Sequence, residues 1–172
     1  KSIYSGYSFA KYNRTAVTDK IVIIADSIGV GTITNDAQKL GFPSLFRIEN
    51  NKQVAVHGWG RSTIQDFAGD STKLATCVAA IQALFANTTA GKKLVIQAGT
   101  NDTGLNDTQA PEFLGWYGNL LDAVYAADPT IHIYCISPLN RTGYSVVYDA
   151  IATGIQSLCT AREYTNFIYG KD

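Results

Sequence analysis

The chain has 172 residues and a mass of 18.6 kDa, and its 14 lysines and arginines balance 14 aspartates and glutamates. Hydrophobic residues make up 46% and charged residues only 16%, against roughly 25% charged in an average soluble domain, so a single packed core is within reach and disorder is excluded. Zero net charge, with no basic cluster longer than Lys92-Lys93, removes the attraction that dominates non-specific nucleic-acid binding, and apolar runs such as Ile21 to Ala25 fall far short of the 18 or so residues of a membrane span.

Residues 1–19, with Tyr4, Tyr7, Phe9 and Tyr12, read as an N-terminal arm to which the sequence assigns no further role, and residues 20–172 read as one domain. Ile21-Val22-Ile23-Ile24-Ala25 is a β-branched run without alternation, the texture of a strand covered on both faces in a parallel sheet. Gln53 to Val56, Leu94 to Ala98 and Ile131 to Ile136 repeat that texture, and Phe167-Ile168-Tyr169 supplies a short fifth run.

Helical patterns lie between the runs. Leu74, Val78, Ile81, Leu84 and Phe85 recur at three- and four-residue spacing after a Ser71 cap, with Asn87 and Gly91 as stop signals. Phe113, Leu114, Trp116, Tyr117, Leu120, Leu121, Val124 and Tyr125 form a second stripe, with Pro111 in its first turn and Pro129 beyond its end. Val147, Ile151, Ile155 and Leu158 form a third. Strands alternating with such helices predict an α/β protein: a three-layer α/β/α sandwich around a mostly parallel five-stranded sheet. Its ligand site is expected beyond the carboxyl ends of the strands.

Cys77, Cys135 and Cys159 are far apart, with no Cys-x-x-Cys pair, so neither a structural zinc site nor a disulfide framework is implied; at most one bridge could form. Low charge, richness in Thr, Asn and Tyr, and a start at Lys1 point to a processed, extracytoplasmic protein, although a trimmed chain looks the same. The Asn-x-Ser/Thr sites at Asn13, Asn87, Asn101, Asn106 and Asn140 are expected by chance in a Thr-rich chain.

Three segments follow strands. Ala25-Asp26-Ser27-Ile28-Gly29-Val30-Gly31 places Ser27 at a strand-to-helix turn, either as an exposed nucleophile or as the N-cap of the next helix. His57-Gly58-Trp59-Gly60-Arg61-Ser62-Thr63 offers glycines whose backbone N–H can approach a ligand closely. Gly99-Thr100-Asn101-Asp102 places a carboxamide at the same edge, able to donate to a developing oxyanion or simply to make a turn.

Together these segments resemble, in order and spacing, the blocks of the SGNH (GDSL-type) hydrolases, over about Lys20 to Gly170. The Gly-Asp-Ser block stands here with Ala25 in place of its glycine. Gly60-Arg61-Ser62 is similar to the Gly-Arg-Ser of rhamnogalacturonan acetylesterases, with Gly58 as the competing registration, and Gly99-Thr100-Asn101-Asp102 matches Gly-x-Asn-Asp without a gap. Ile133 to Pro138 looks like the family's fourth strand and its proline-containing loop. The resemblance implies a serine esterase needing no cofactor, with Ser27 as nucleophile and the Ser27 N–H, Gly60 N–H and Asn101 amide as oxyanion hole. Asp26, Gly99 and Asp102 would support the site, and His57, Trp59 and Arg61 would reach substrate.

The family draws its base and orienting carboxylate from an Asp-x-x-His block after the fifth strand, whereas this sequence stops at Gly170-Lys171-Asp172. His132, at the start of the fourth run, is expected about 15 Å from the carboxyl edge at 3.3 Å per residue. His57 lies at the correct edge, either as the base of a substitute dyad or as a pocket-shaping side chain. Two explanations follow: the triad Asp and His lie beyond residue 172, or the chain is a non-catalytic carbohydrate- or acyl-binding module. O-acetyl carbohydrate is the expected substrate class, from the Gly-Arg-Ser resemblance, Trp59 and the many tyrosines. A nucleotide-binding reading is disfavoured because the first turn lacks both Gly-x-x-x-x-Gly-Lys-Ser/Thr and Gly-x-Gly-x-x-Gly.

Overall fold

Ile21 to Ala25 are each at most 6% exposed, because their strand, β1 (Asp19–Ala25), runs through the interior of the sheet between two parallel neighbours. The computed structural model describes residues 19–26, 53–88, 91–102, 110–138 and 145–169. Within them β2 (Gln53–Gly58), β3 (Gly91–Gln97), β4 (Ile131–Ile136) and β5 (Thr165–Ile168) complete a five-stranded sheet of order β2-β1-β3-β4-β5, every adjacent pair parallel. The described helices are α1 (Ile64–Ala68), α2 (Ser71–Phe85), α3 (Ala110–Ala127) and α4 (Ser145–Thr160). The N-terminal arm and the chain from Ser27 to residue 52 lie outside the described residues.

Strand register divides the core in two. Val22, Ile24, Leu94, Ile96, Ile131, Ile133 and Cys135 share one face and join the helix residues Phe67, Ile81, Phe113, Tyr117, Leu120, Leu121, Ile151 and Ile155 in one apolar cluster. Each fully buried large side chain there contributes up to about 2 to 3 kcal/mol of transfer free energy. Ile21, Ile23, Ala25 and Val54 form a second cluster on the opposite face. Right-handed crossovers explain the division: β2 to β3, β3 to β4 and β4 to β5 all step the same way across the sheet, which sends their helices to one face. The step from β1 to β2 runs the other way across the sheet, and the residues that make it lie outside those described.

Several local expectations change. The cap of α2 is Asp70, whose extended backbone and carboxylate accepting from Lys73 N–H at 2.8 Å leave Ser71 inside the helix. Gly91, read as a helix stop, opens β3; the turn after α2 instead contains Asn87 in the left-handed region, at φ 62°. β5 begins at Thr165 and ends at Ile168 rather than running from Phe167 to Tyr169. β4 is not covered on both faces: His132 is exposed and Tyr134 and Ile136 are half-buried, alternating with buried Ile131, Ile133 and Cys135. The three cysteines are free, buried thiols.

The carboxyl ends of β1 and β2 approach too closely for a side chain at Gly58, which pairs with Ala25; a Cβ built there lies 1.8 Å from the Ala25 carbonyl oxygen. Gly58→Ala is therefore expected to destabilise the fold by about 2 to 3 kcal/mol or more through backbone displacement, measured as a lowered urea midpoint. An unchanged midpoint would mean that these strand ends separate without cost.

Candidate active site

The strand order reverses direction between β1 and β3, and in open α/β sheets this is where a crevice forms beyond the strand ends. Asp26 leaves β1 there fully buried, its N–H donating to the Gln97 carbonyl at 3.3 Å. The next residue, Ser27, is outside the described residues, as are Gly29 and Gly31. Loops after β2 and β3 flank this point on either side.

The loop after β2 is a tight turn closed by Ser62 N–H donating to the Trp59 carbonyl at 3.2 Å. Arg61, its third residue, has φ 66°, the left-handed conformation a turn usually reserves for Gly or Asn. Arg61, Gly60 and Trp59 are exposed. Ser62 is buried beneath them, its hydroxyl 2.9 Å from the Trp59 carbonyl and 3.3 Å from that of Ala25, which ties the turn to the end of β1. His57, on the helix-facing side of β2, packs against Phe67 and edge-on to Trp59, with centroid distances of 5.7 and 6.3 Å. Burial lowers its pKa, so its imidazole is neutral at pH 7.

The loop after β3 turns at Gly99, which has φ 121° and whose carbonyl accepts from Asp102 N–H at 3.1 Å. A Cβ at Gly99 would also meet the Pro138 ring at 2.8 Å. Asn101 and Asp102 then grip the β2 loop together. Asn101 Nδ2 donates to the Ser62 carbonyl at 2.9 Å, and the buried Asp102 carboxylate accepts from Ile64 N–H at 3.1 and 3.2 Å. Ile64 opens α1, whose entry is fixed further by Asp66 accepting from the Thr63 N–H and hydroxyl, each at 2.9 Å. The turn bearing Gly60 and the side chain of Asn101 are thus one rigid unit, and the amide has a second N–H beyond the one given to Ser62.

Burial pushes the Asp102 carboxyl up to about 7, against the downward pull of the Ile64 N–H bond and with the Asp66 and Asp26 charges adding to the rise. A raised folded pKa means that the native state keeps a proton the unfolded chain releases near pH 4, so stability falls as pH rises from about 4 to 7. Asp102→Asn keeps an acceptor for Ile64 and removes this titration. Urea unfolding at pH 4.5, 6 and 8 should give a flatter stability profile than the parent's; an identical slope would show that Asp102 does not titrate in that window.

No protein-family model and no curated protein matches the sequence. Solved structures match it through architecture. A G-D-S-L family protein described as lipolytic, from Desulfitobacterium hafniense DCB-2, is 18% identical with a TM-score of 0.63, the match covering 87% of this chain and 76% of that one. A psychrotrophic esterase from Pseudoalteromonas sp., inhibited by monoethylphosphonate, is 12% identical with a TM-score of 0.65, over 88% of this chain and 76% of its own. A family two carbohydrate esterase from Clostridium thermocellum in complex with cellohexaose is 17% identical with a TM-score of 0.65, over 91% of this chain and 55% of its own. The fold is that of the SGNH hydrolases.

Within this SGNH fold the structure brings Asp26, His57, Trp59, Gly60, Arg61, Gly99, Asn101 and Asp102 to one edge of the sheet. It separates His132 from them, since His132 is the second residue of β4 and pairs with Lys93 near the amino end of β3. Among the described residues no carboxylate is hydrogen-bonded to either histidine. The packing reason for Gly58 accounts for that glycine without a catalytic role. Sequence reasoning gave Ser62 no role of its own and missed the Asp66 cap and the five-residue α1; Thr63-Ile64-Gln65-Asp66 before Phe67 carries the spacing of a capping box and was the available signal. Among the described residues, no helix is long and apolar enough to cross a membrane.

Proposed function

We propose that this chain belongs to an SGNH serine esterase that removes acyl groups, O-acetyl groups on carbohydrate in particular. The observation that carries the reading is the locked pair of loops: Asn101 and the Gly60 turn are cross-linked by the Asn101–Ser62 and Asp102–Ile64 bonds beside the point where Ser27 follows β1. Preorganised donors of this kind stabilise an oxyanion because they need no reorganisation as charge develops.

In this mechanism the Ser27 hydroxyl attacks the ester carbonyl while a histidine base takes its proton, and the carbonyl oxygen becomes an oxyanion facing the Ser27 N–H, the Gly60 N–H and the free Asn101 N–H. Collapse breaks the bond to the sugar oxygen, which receives the proton from the histidine. Water, activated by the same base, then releases the acid and restores Ser27. The base and its carboxylate are assigned to an Asp-x-x-His segment beyond residue 172, since His57 has aromatic neighbours and no acidic partner among the described residues. Trp59, 47% exposed, offers an aromatic face for sugar, and the cellohexaose complex of the carbohydrate esterase supports that substrate class. A soluble, extracytoplasmic setting suits such a substrate.

The absence of an acid-paired histidine among the described residues favours a second reading, a carbohydrate- or acyl-binding module without turnover. Hydrolysis of p-nitrophenyl acetate and of acetylated cello-oligosaccharides by the full-length protein decides between them. Turnover that disappears in Ser27→Ala supports the esterase. Oligosaccharide binding without turnover would overturn it in favour of the module.

A further inference from the structure

At the edge of the sheet opposite the candidate active site, an open cleft of about 460 Å³ lies where the end of α3, the start of β4 and the α4–β5 turn meet. Its volume is in the range of small-ligand sites. One wall is an aromatic pair: Tyr125 and Tyr164 stack with ring centroids 3.9 Å apart and planes 7° from parallel. That wall is held from behind. Arg162 forks onto Asp122 through Nε at 2.7 Å and Nη2 at 2.8 Å, and the Tyr164 hydroxyl donates to the same carboxylate. Tyr125 remains 38% exposed.

The rest of the lining is mixed, with Pro129, Ile131 and Ala161 between polar side chains. His132, Glu163 and Asn166 line the cleft with exposed side chains, and none of the three side chains makes a hydrogen bond or ion pair among the described residues. Arg162 is paired with Asp122, so the cleft has no cationic excess for a phosphate. A rigid, exposed aromatic ring beside planar donors and acceptors, with balanced charge, suits a neutral ligand rich in hydroxyl groups. Pre-stacking of Tyr125 on Tyr164 lowers the ordering cost of using that ring as a platform.

We propose that this cleft is a second, non-catalytic carbohydrate-binding site, in which the Tyr125–Tyr164 wall packs on a sugar ring and His132, Glu163 and Asn166 hydrogen-bond its hydroxyls. The site lies about 15 Å or more from the carboxyl edge, given the length of β4. It would hold a glycan independently of turnover, so it stands apart from the esterase reading.

The sequence contains only two histidines, one at each location, and their ring signals in an NMR titration report the two sites separately. Titration of the full chain with cellohexaose should shift the His132 imidazole resonances saturably, and should do so in Trp59→Ala as well. Tyr125→Ala and Asn166→Ala should each weaken the His132 response about tenfold or more; Asn166, whose exposed side chain has no partner among the described residues, keeps the test open if loss of the tyrosine stack impairs folding. Shifts confined to His57, no shift at either histidine, or a His132 response unaffected by both cleft variants would overturn the proposal.

Discussion

Replacing Ser27 by alanine is expected to lower turnover of a small acetate ester by roughly 10⁴-fold or more in the full-length protein, the scale on which loss of a serine nucleophile acts in other hydrolases. The placement of β1 is the reason. Its place between β2 and β3 and the Asp26 N–H bond to Gln97 end the strand beside two loops that are fixed to one another, which is where the proposed mechanism needs its nucleophile. The alternative role of Ser27, as a helix N-cap, predicts a different pair of readings: about 1 kcal/mol of stability lost and turnover nearly unchanged. Urea unfolding and steady-state kinetics on the same preparation separate them. Turnover within tenfold of the parent's would remove Ser27 from the chemistry.

The strands were legible because burial on both faces demands continuous β-branched sequence, as in Ile21 to Ala25, and because the intervening helices are long enough to show a period. β4 shows where that logic stops. Ile131-His132-Ile133-Tyr134-Cys135-Ile136 also reads as an apolar run, but tyrosine and histidine tolerate partial exposure, and the register against β3 shows that they share the less covered face. α1 is shorter than two turns and has no period to read. That the segments after β1, β2 and β3 start from one edge was legible from their order along the chain, since a parallel sheet brings successive strand ends together. Their cross-links were not. Neither the Asn101 bond to Ser62 nor the Asp102 bond to Ile64 follows from local sequence, because both depend on how far two loops rise above the sheet. The packing demand at Gly58 was hidden for the same reason: the Ala25 carbonyl that forbids a side chain there lies on a neighbouring strand.

Asn101→Ala is expected to reduce kcat by about 10² to 10³-fold, equivalent to about 2.7 to 4 kcal/mol of transition-state stabilisation, with KM little changed. In the proposed mechanism the Asn101 amide has two tasks. One N–H holds the Ser62 carbonyl at 2.9 Å and the other is left for the oxyanion, so the substitution removes a positioning contact and a catalytic donor together. The positioning contact alone is a neutral hydrogen bond worth about 1 kcal/mol of stability, and the Asp102–Ile64 bond still joins the two loops. Loss of position without loss of a donor would loosen substrate and intermediate alike and raise KM, whereas loss of the donor acts only where negative charge develops. Asn101→Asp extends the comparison, because the isosteric carboxylate removes both N–H groups and sets a negative charge against the Ser62 carbonyl and the nascent oxyanion; its kcat should fall at least as far as that of the alanine variant. Near-normal kcat in either variant, with the fold intact by thermal unfolding, would exclude Asn101 from the oxyanion hole and leave the backbone N–H groups of Ser27 and Gly60 as its remaining donors.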